Sequence, residues 1–422
     1  MSLLDKEEAR LLLKDAKLEA DTVRGCRRRI TTFLERYLPL FYRSEHRDNA
    51  TLVIQGRLSG LERKTSEPIA IQAGVQRKPV QQFVGAGCWD DDAVTAELRR
   101  HVAEVLGGPD AVFVLDPSAF PKKGTESCGV ARQWCGRLGK VDNCQVGCFL
   151  AIAAPGGATL VDRRLYLPKE WAADPARRKK CHVPPDVRFQ EKWRINLDLL
   201  DRSRDVPHGW VVSDEESGRV STFRKKLSRR RERYVVDVPA NTLVRDLDEP
   251  APRQRRRRRG APRKPPFRRA DEWAARQPAQ RWEKITVRGG EKGPIEVEAL
   301  TARVQTKDGR RLGPEERLVV LRTVEANPKT HFALSNAKPS VPLEELTRVR
   351  MSRHRIEELF EAGNGEVGLD HYEVRSWVGW HHHMTLSMLA LWFLVLEKRR
   401  VGEKNSSHHR AADARGVQPT AA

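Results

Sequence analysis

The sequence predicts an α/β protein: a mixed sheet flanked by helices, preceded by a helical N-terminal domain and interrupted by a β-rich insertion. Three observations predict this. Two short apolar runs, 111–115 and 209–213, are each closed by an acid, Asp116 and Asp214; runs of this length bounded by turn residues are consistent with buried strands. The strand-like runs after Asp116 come first in hairpin order and then alternate with helical ones, the pattern of a mixed sheet covered by helices. Residues 282–324 hold the runs ITV, IEVEAL, ARVQT and RLVVLRTV, broken by glycine pairs and by Asp308-Gly309, which is the punctuation of strands and turns.

The N-terminal domain, 1–108, is read as helical and basic. In the first helical stretch, 6–42, Ile30, Phe33, Leu34, Tyr37 and Leu38 recur at one-face helical spacing. A second stretch, 78–107, has Asp92 as its expected N-cap and the pair Gly107-Gly108 as its stop. The core, 109–245, opens with the strand ending at Asp116, then a basic loop with Pro117, Lys122 and Lys123. Strands over 146–154 and 159–167 flank Gly156-Gly157, a hairpin turn. A helix over 188–200, the strand closed by Asp214, a helix over 220–230 and a strand over 234–238 follow. Residues 246–335 are a basic linker and the β-rich insertion, and the run Arg255, Arg256, Arg257, Arg258, Arg259 lies in the linker among prolines. Residues 336–400 return to helix. One is expected over 342–363, and a second, Met384–Leu396, is apolar all round apart from Thr385 and Ser387. Those thirteen residues are too few to span a bilayer, so a buried core helix is expected. The tail, 401–422, reads as disordered by composition.

Charge narrows the function. The 422 residues carry 78 Lys plus Arg against 57 Asp plus Glu, a formal charge of +21. Such an excess suits a polyanionic partner, nucleic acid above all. A merely soluble basic surface is the plain alternative. The seven cysteines form no small-domain disulfide framework, and charged residues within the first ten argue against a signal peptide, so reduced thiols and a cytoplasmic protein are expected. Cys144 and Cys148 lack the second pair a zinc site needs and read as buried thiols.

An acid at the exit of a buried strand is costly unless paired or bound to a metal. The third carboxylate chosen to join Asp116 and Asp214 is Glu357, in RHRIEELFE. At about 100° per residue, Arg350, Arg353, Glu357, Glu361 and Asn364 share one helix face, beside an apolar stripe of Val349, Ile356 and Phe360. Three carboxylates from separate elements suit Mg²⁺ or Mn²⁺. Two such ions about 4 Å apart can drive attack on a phosphodiester. Spacing alone leaves the choice among 57 acids open, with Glu373 as the other candidate for the third. His381, His382 and His383 point about 100° apart on a helix and cannot share one metal, so a structural or DNA-facing role is expected.

Several motifs together carry a family resemblance: VLDPSAFPKKG, GVARQWCGRLGKVDNCQVG, LYLPKEW, YVVDVP followed by NT, LSNA, RHRIEELFE and GEVGLDHYEVRSWVGWHHH. Over most of residues 35–400 the chain resembles bacterial insertion-sequence transposases of the DDE class, whose catalytic core is ribonuclease-H-like. The resemblance implies that Asp116 ends the first strand of the core and Asp214 the fourth. The third acid of that family lies in a signature of Tyr, two residues, Arg, three residues, Glu, six residues, Lys. Arg353 and Glu357 fall in its register, while Arg350 and Asn364 stand at its Tyr and Lys positions, and Ser217 where an aromatic is expected.

The resemblance further implies two Mg²⁺ or Mn²⁺ ions on Asp116, Asp214 and Glu357, and double-stranded DNA, both element ends and target, as partner. It implies metal-activated water for cleavage, strand transfer by the freed 3′-hydroxyl, and a homodimer holding two ends on the nucleoid. Lys122, Lys123, Arg353 and the Arg255–Arg259 run are the expected phosphate contacts. A decayed copy that holds DNA without cutting it, and a basic RNA-binding protein, are the rival readings.

Overall fold

The computed structural model describes residues 25–250, 264–290, 293–309, 311–325 and 327–415. It opens with α1 (Cys26–Glu35), α2 (Ser44–Arg57), α3 (Ser66–Gln72), α4 (Arg77–Ala86) and α5 (Asp91–Leu106). Ile30, Phe33 and Leu34 are the buried face of α1. Asp90, not Asp92, caps α5: its carboxylate accepts from the Asp92 and Ala93 amides at 2.9 and 3.0 Å. Asp90 is extended (φ −86°, ψ 99°), the backbone shape that turns a side chain back onto the first turn, whereas Asp92 already lies inside that turn.

The strands are β1 (Val112–Pro121), β2 (Ala131–Cys135), β3 (Lys140–Ala154), β4 (Gly157–Leu165), β5 (Trp210–Ser213), β6 (Tyr234–Val238), β7 (Leu243–Asp246), β8 (Arg268–Arg269), β9 (Glu283–Gly290), β10 (Gly293–Asp308), β11 (Arg311–Thr323) and β12 (Thr330–Ser335). The helices between β4 and β7 are α6 (Lys169–Ala172), α7 (Pro175–Lys180), α8 (Lys192–Arg202), α9 (Glu215–Gly218) and α10 (Ser221–Arg229). Later come α11 (Ala270–Ala275), α12 (Leu343–Met351), α13 (His354–Val367) and α14 (Trp377–Arg415).

One sheet runs β2-β3-β1-β5-β6-β12-β11-β10-β7-β8, with β4 also on β3 and β9 also on β10. The series β4-β3-β1-β5-β6, antiparallel on the β3 side and parallel through β1, β5 and β6, is a ribonuclease-H-like core. The insertion strands extend that same sheet, because β12 pairs antiparallel with β6. The buried Arg224–Glu316 pair (2.8 Å) fastens the insertion: Arg224 of α10 meets Glu316 of β11, and Tyr234 donates to the same carboxylate at 2.7 Å.

Three expectations need correction here. β1 does not stop at Asp116; it pairs with β3 as far as Pro121. Pro117 is tolerated inside it because β5 is paired only up to Leu115, so the other side of β1 is an open edge from there on. The helix expected over 342–363 is two, α12 and α13, separated by Ser352 and Arg353. The apolar stretch Met384–Leu396 lies within α14, which continues past Val401, where a disordered tail was expected, to Arg415.

The apolar stretch of α14 can be buried because its two hydroxyls are satisfied within the helix. Thr385 and Ser387 each donate to the carbonyl four residues back, both at 2.8 Å. The N-terminal helices pack on it, and Leu34, Val94, Leu98, Trp392 and the strand residues Phe113 and Leu150 belong to one apolar core.

Candidate active site

The register of the parallel strands builds the site. Leu115 of β1 is level with Ser213 of β5, and Ser213 with Val236 of β6. The next residue on each strand is an acid: Asp116, Asp214 and Asp237. They form a row across three neighbouring strands, which lie about 5 Å apart. Asp214 leaves the sheet as the cap of α9, accepting the Ser217 amide at 3.1 Å. Gly218 permits this exit, since a Cβ there would lie 1.9 Å from the Asp237 carbonyl oxygen. Asp237 was missed by the sequence reasoning although the signal was present: YVVD is a third apolar run closed by an acid.

Two arginines from the α12–α13 junction face this row. Arg350 grips Asp237 with Nε and Nη2, both at 3.0 Å. Arg353 donates from Nη2 to Asp116 Oδ1 at 3.0 Å, while its Nη1 lies 3.8 Å from Asp237 Oδ2 and 3.8 Å from Glu357 Oε1. Asp116 and Glu357 therefore reach the same guanidinium. Glu357 is half exposed and also contacts His354 at 3.1 Å. Glu373, the other candidate for third acid, pairs with Arg63 on the surface.

Burial and crowding of like charge govern the electrostatics. Burial pushes the Asp116 carboxyl up to about 7 against the pull of Arg353, and Asp214 and Glu357 push it the same way. Burial also raises Asp214, and the Ser217 amide holds it back. For Arg353, burial works against the charge, but Asp116 and Asp237 outweigh it and keep the guanidinium protonated. A cluster of this kind calls for a cation, and Arg353 supplies one.

Among the described residues no three carboxylate, imidazole or thiolate groups lie close enough together to hold a metal ion. Asp116 and Glu357 are instead linked through two nitrogens of the Arg353 guanidinium. The donor set itself fits a hard divalent cation: two buried carboxylates and the half-exposed Glu357, whose mutual repulsion is relieved by positive charge. A cavity of 490 Å³ lined by Val112, Trp210 and Val349 opens at the start of β1 and β5, the opposite end from the acids, and is not their cleft.

Comparison with known proteins accords with this geometry. Residues 36–294, more than half of the chain, match the DDE superfamily endonuclease family. The chain belongs to that family. The match takes in Asp116, Asp214 and Asp237 and ends before Glu357. A stretch of 89 residues is 32% identical to a probable transposase for insertion sequence element IS701 from Microchaete diplosiphon, covering 21% of this chain and 23% of that protein.

The remaining candidates are scattered. Lys122 lies over the Tyr372 ring, 3.5 Å from its centroid, and donates to the Tyr372 carbonyl at 3.3 Å. Lys123 beside it is exposed. Arg255, Arg256, Arg257, Arg258 and Arg259 lie outside the described residues. Ser217 is buried and accepts from Asn196 at 2.9 Å, filling the position where an aromatic was expected. The side-chain oxygen of Asn364 is buried without a partner. His381, His382 and His383 are buried in α14 and structural: they donate to the carbonyls of Trp377 (2.9 Å), Trp89 (3.2 Å) and Leu369 (2.9 Å), and His383 Nδ1 accepts from Arg57 at 2.9 Å. Cys144 and Cys148 are buried thiols. No helix among the described residues is long and apolar enough to cross a membrane.

Proposed function

We propose that this chain is an insertion-sequence transposase: it binds the ends of its element, cuts a strand there, and joins the freed 3′-hydroxyl to target DNA. The observation that carries the reading is the row of Asp116, Asp214 and Asp237 facing Glu357 across one guanidinium. Membership of the DDE endonucleases and the likeness of one stretch to a probable transposase support it. Asp116, Asp214 and Glu357 would hold Mg²⁺ or Mn²⁺, two ions in all, which supply an activated water and stabilise the leaving oxygen.

The chain's own residues do the rest. The Ser217 amide fixes the Asp214 carboxylate at the strand end. Arg350 holds Asp237 at the edge of the row. Lys123, Arg353 and the Arg255–Arg259 run take DNA phosphates, and Lys122 reaches one only by leaving Tyr372. Joining needs no high-energy cofactor, because one phosphodiester replaces another. Two ends are held at once by a homodimer on the DNA, in the cytoplasm.

The test is cleavage of a plasmid carrying the element ends, with Mg²⁺ supplied. Asp116→Asn and Asp214→Asn preserve shape but remove a charge. Each is expected to abolish nicking while leaving end-binding intact. Nicking by either variant would overturn the assignment, and DNA binding without nicking by the unaltered chain would leave a decayed, DNA-holding protein.

A further inference from the structure

We infer that Arg353 is a stand-in cation: without DNA its guanidinium fills the place between Asp116 and Glu357, and it must move away before those acids can ligate a metal. The inference rests on the reading of Asp116, Asp214 and Glu357 as the metal ligands.

The contrast between two arginines on neighbouring turns carries it. Arg350 is locked, with two nitrogens on the two oxygens of Asp237 at 3.0 Å each. Arg353 is loosely held. Of its five donors, one makes a carboxylate hydrogen bond, to Asp116; Nη1 stands off at 3.8 Å from both Asp237 and Glu357. Its Nε is buried with no partner. A buried donor left unsatisfied is costly, so this berth is not the best one the side chain could find. A DNA phosphate offers a bidentate acceptor suited to the guanidinium fork. Arg353 also precedes α13, at the break from α12, rather than lying mid-helix.

Charge counting gives the consequence. With no metal, one arginine partly neutralises the acids that converge on it. With two divalent ions on Asp116, Asp214 and Glu357, four positive charges would exceed three negative ones, the guanidinium would be a surplus cation, and repulsion would drive it outward. The nearest acceptor already in contact besides Asp116 and Glu357 is Asp237, and in the complex it is phosphate. DNA binding and metal loading are thereby coupled: DNA draws Arg353 out, and the vacated carboxylates take the ion. Coupling of this kind is reciprocal, so metal also favours DNA.

Mn²⁺ binding to the full chain without DNA, read as loss of the free-ion electron paramagnetic resonance signal, tests this without any activity measurement. Arg353→Gln is expected to bind Mn²⁺ about tenfold more tightly than the unaltered chain, the scale of one charge-assisted contact. Arg353→Lys, which keeps the charge but loses the fork, should fall between the two and serves if the Gln variant fails to fold. Lys192→Gln is the control for charge alone. That ammonium acts on Asp214 from its ion pair with Glu216, 2.8 Å away, without standing among the acids that hold Arg353. It should tighten binding much less. If Arg353→Gln binds no tighter than the unaltered chain, or if Lys192→Gln matches it, the stand-in role is overturned. If Asp116→Asn and Asp214→Asn leave Mn²⁺ binding unchanged in both the unaltered and the Arg353→Gln chain, the acids are not the ligands, and the stand-in role falls with that reading.

Discussion

Asn364 lies two turns beyond Glu357 on α13, at the position where the family signature carries lysine. Its side-chain oxygen is buried and unpaired, so the amide gains nothing there that a longer side chain would forfeit. A lysine could carry its ammonium out past the helix to a phosphate, its stem covering apolar surface on the way. A charged contact shielded from water contributes on the order of 1.5–3 kcal/mol, or about tenfold to hundredfold in rate. Asn364→Lys is therefore expected to raise strand cleavage by at least about tenfold. Cleavage and end-binding measured for both chains at low and moderate salt check this, and equal cleavage rates in both would show that position 364 touches no phosphate. Asp237 teaches a related lesson: a buried acid beside two arginines belongs to the site even though no family motif assigns it a role.

At the scale of elements, α14 has a titration built into it. Burial depresses His381 and His382 to about 4, and His383 well below its ordinary 6.5; Asp91 and Arg163 face the first two, and Arg57 the third. The folded values lie below the unfolded one. The unfolded chain therefore binds more protons in acid, and stability is complete above about 6.5 and lost as pH falls toward 4. The loss is up to about 1.4 kcal/mol per histidine per pH unit once below the unfolded value. The urea midpoint should fall between about pH 7 and pH 5, and less steeply in His382→Gln, whose amide can still donate toward the Trp89 carbonyl. Identical slopes in the two chains would mean that His382 is protonated in the fold. The same helix binds the N-terminal helices to the sheet, so acid should loosen both together.

Across the whole molecule, 78 basic residues outnumber 57 acidic ones, and many of the described acids stand in ion pairs. The Arg255–Arg259 run lies in the sequence between β7 and β8. Replacing all five arginines by glutamine should flatten the fall of log affinity with log salt, by about 0.9 for each phosphate the run neutralises. Filter-binding titrations across a salt series measure that slope, and an unchanged slope would make the run a solvated linker. Cleavage of DNA already saturated with protein should change far less, because the run is remote in sequence from every candidate ligand.

Much of this was legible in the residues. Apolar runs bounded by glycine and acids placed β1, β3, β4, β5 and β6, because burial patterning is a local property of the chain. The family motifs singled out Asp116, Asp214 and Glu357 by number. Three things were not legible, each for a physical reason. The extension of β1 through Pro117 depends on where β5 ends, nearly a hundred residues later, since only that leaves the open edge a proline needs. The break between α12 and α13 interrupts a helical pattern that no proline or glycine marks. The pairing of Arg350 with Asp237 and of Arg353 with Asp116, and the berth of Lys122 over Tyr372, are contacts between residues more than a hundred positions apart. Sequence supplied Asp116, Asp214 and Glu357 as candidates; the parallel register of β1, β5 and β6 decided that the first two stand in a row with Asp237, and the packing of the α12–α13 junction that an arginine faces them.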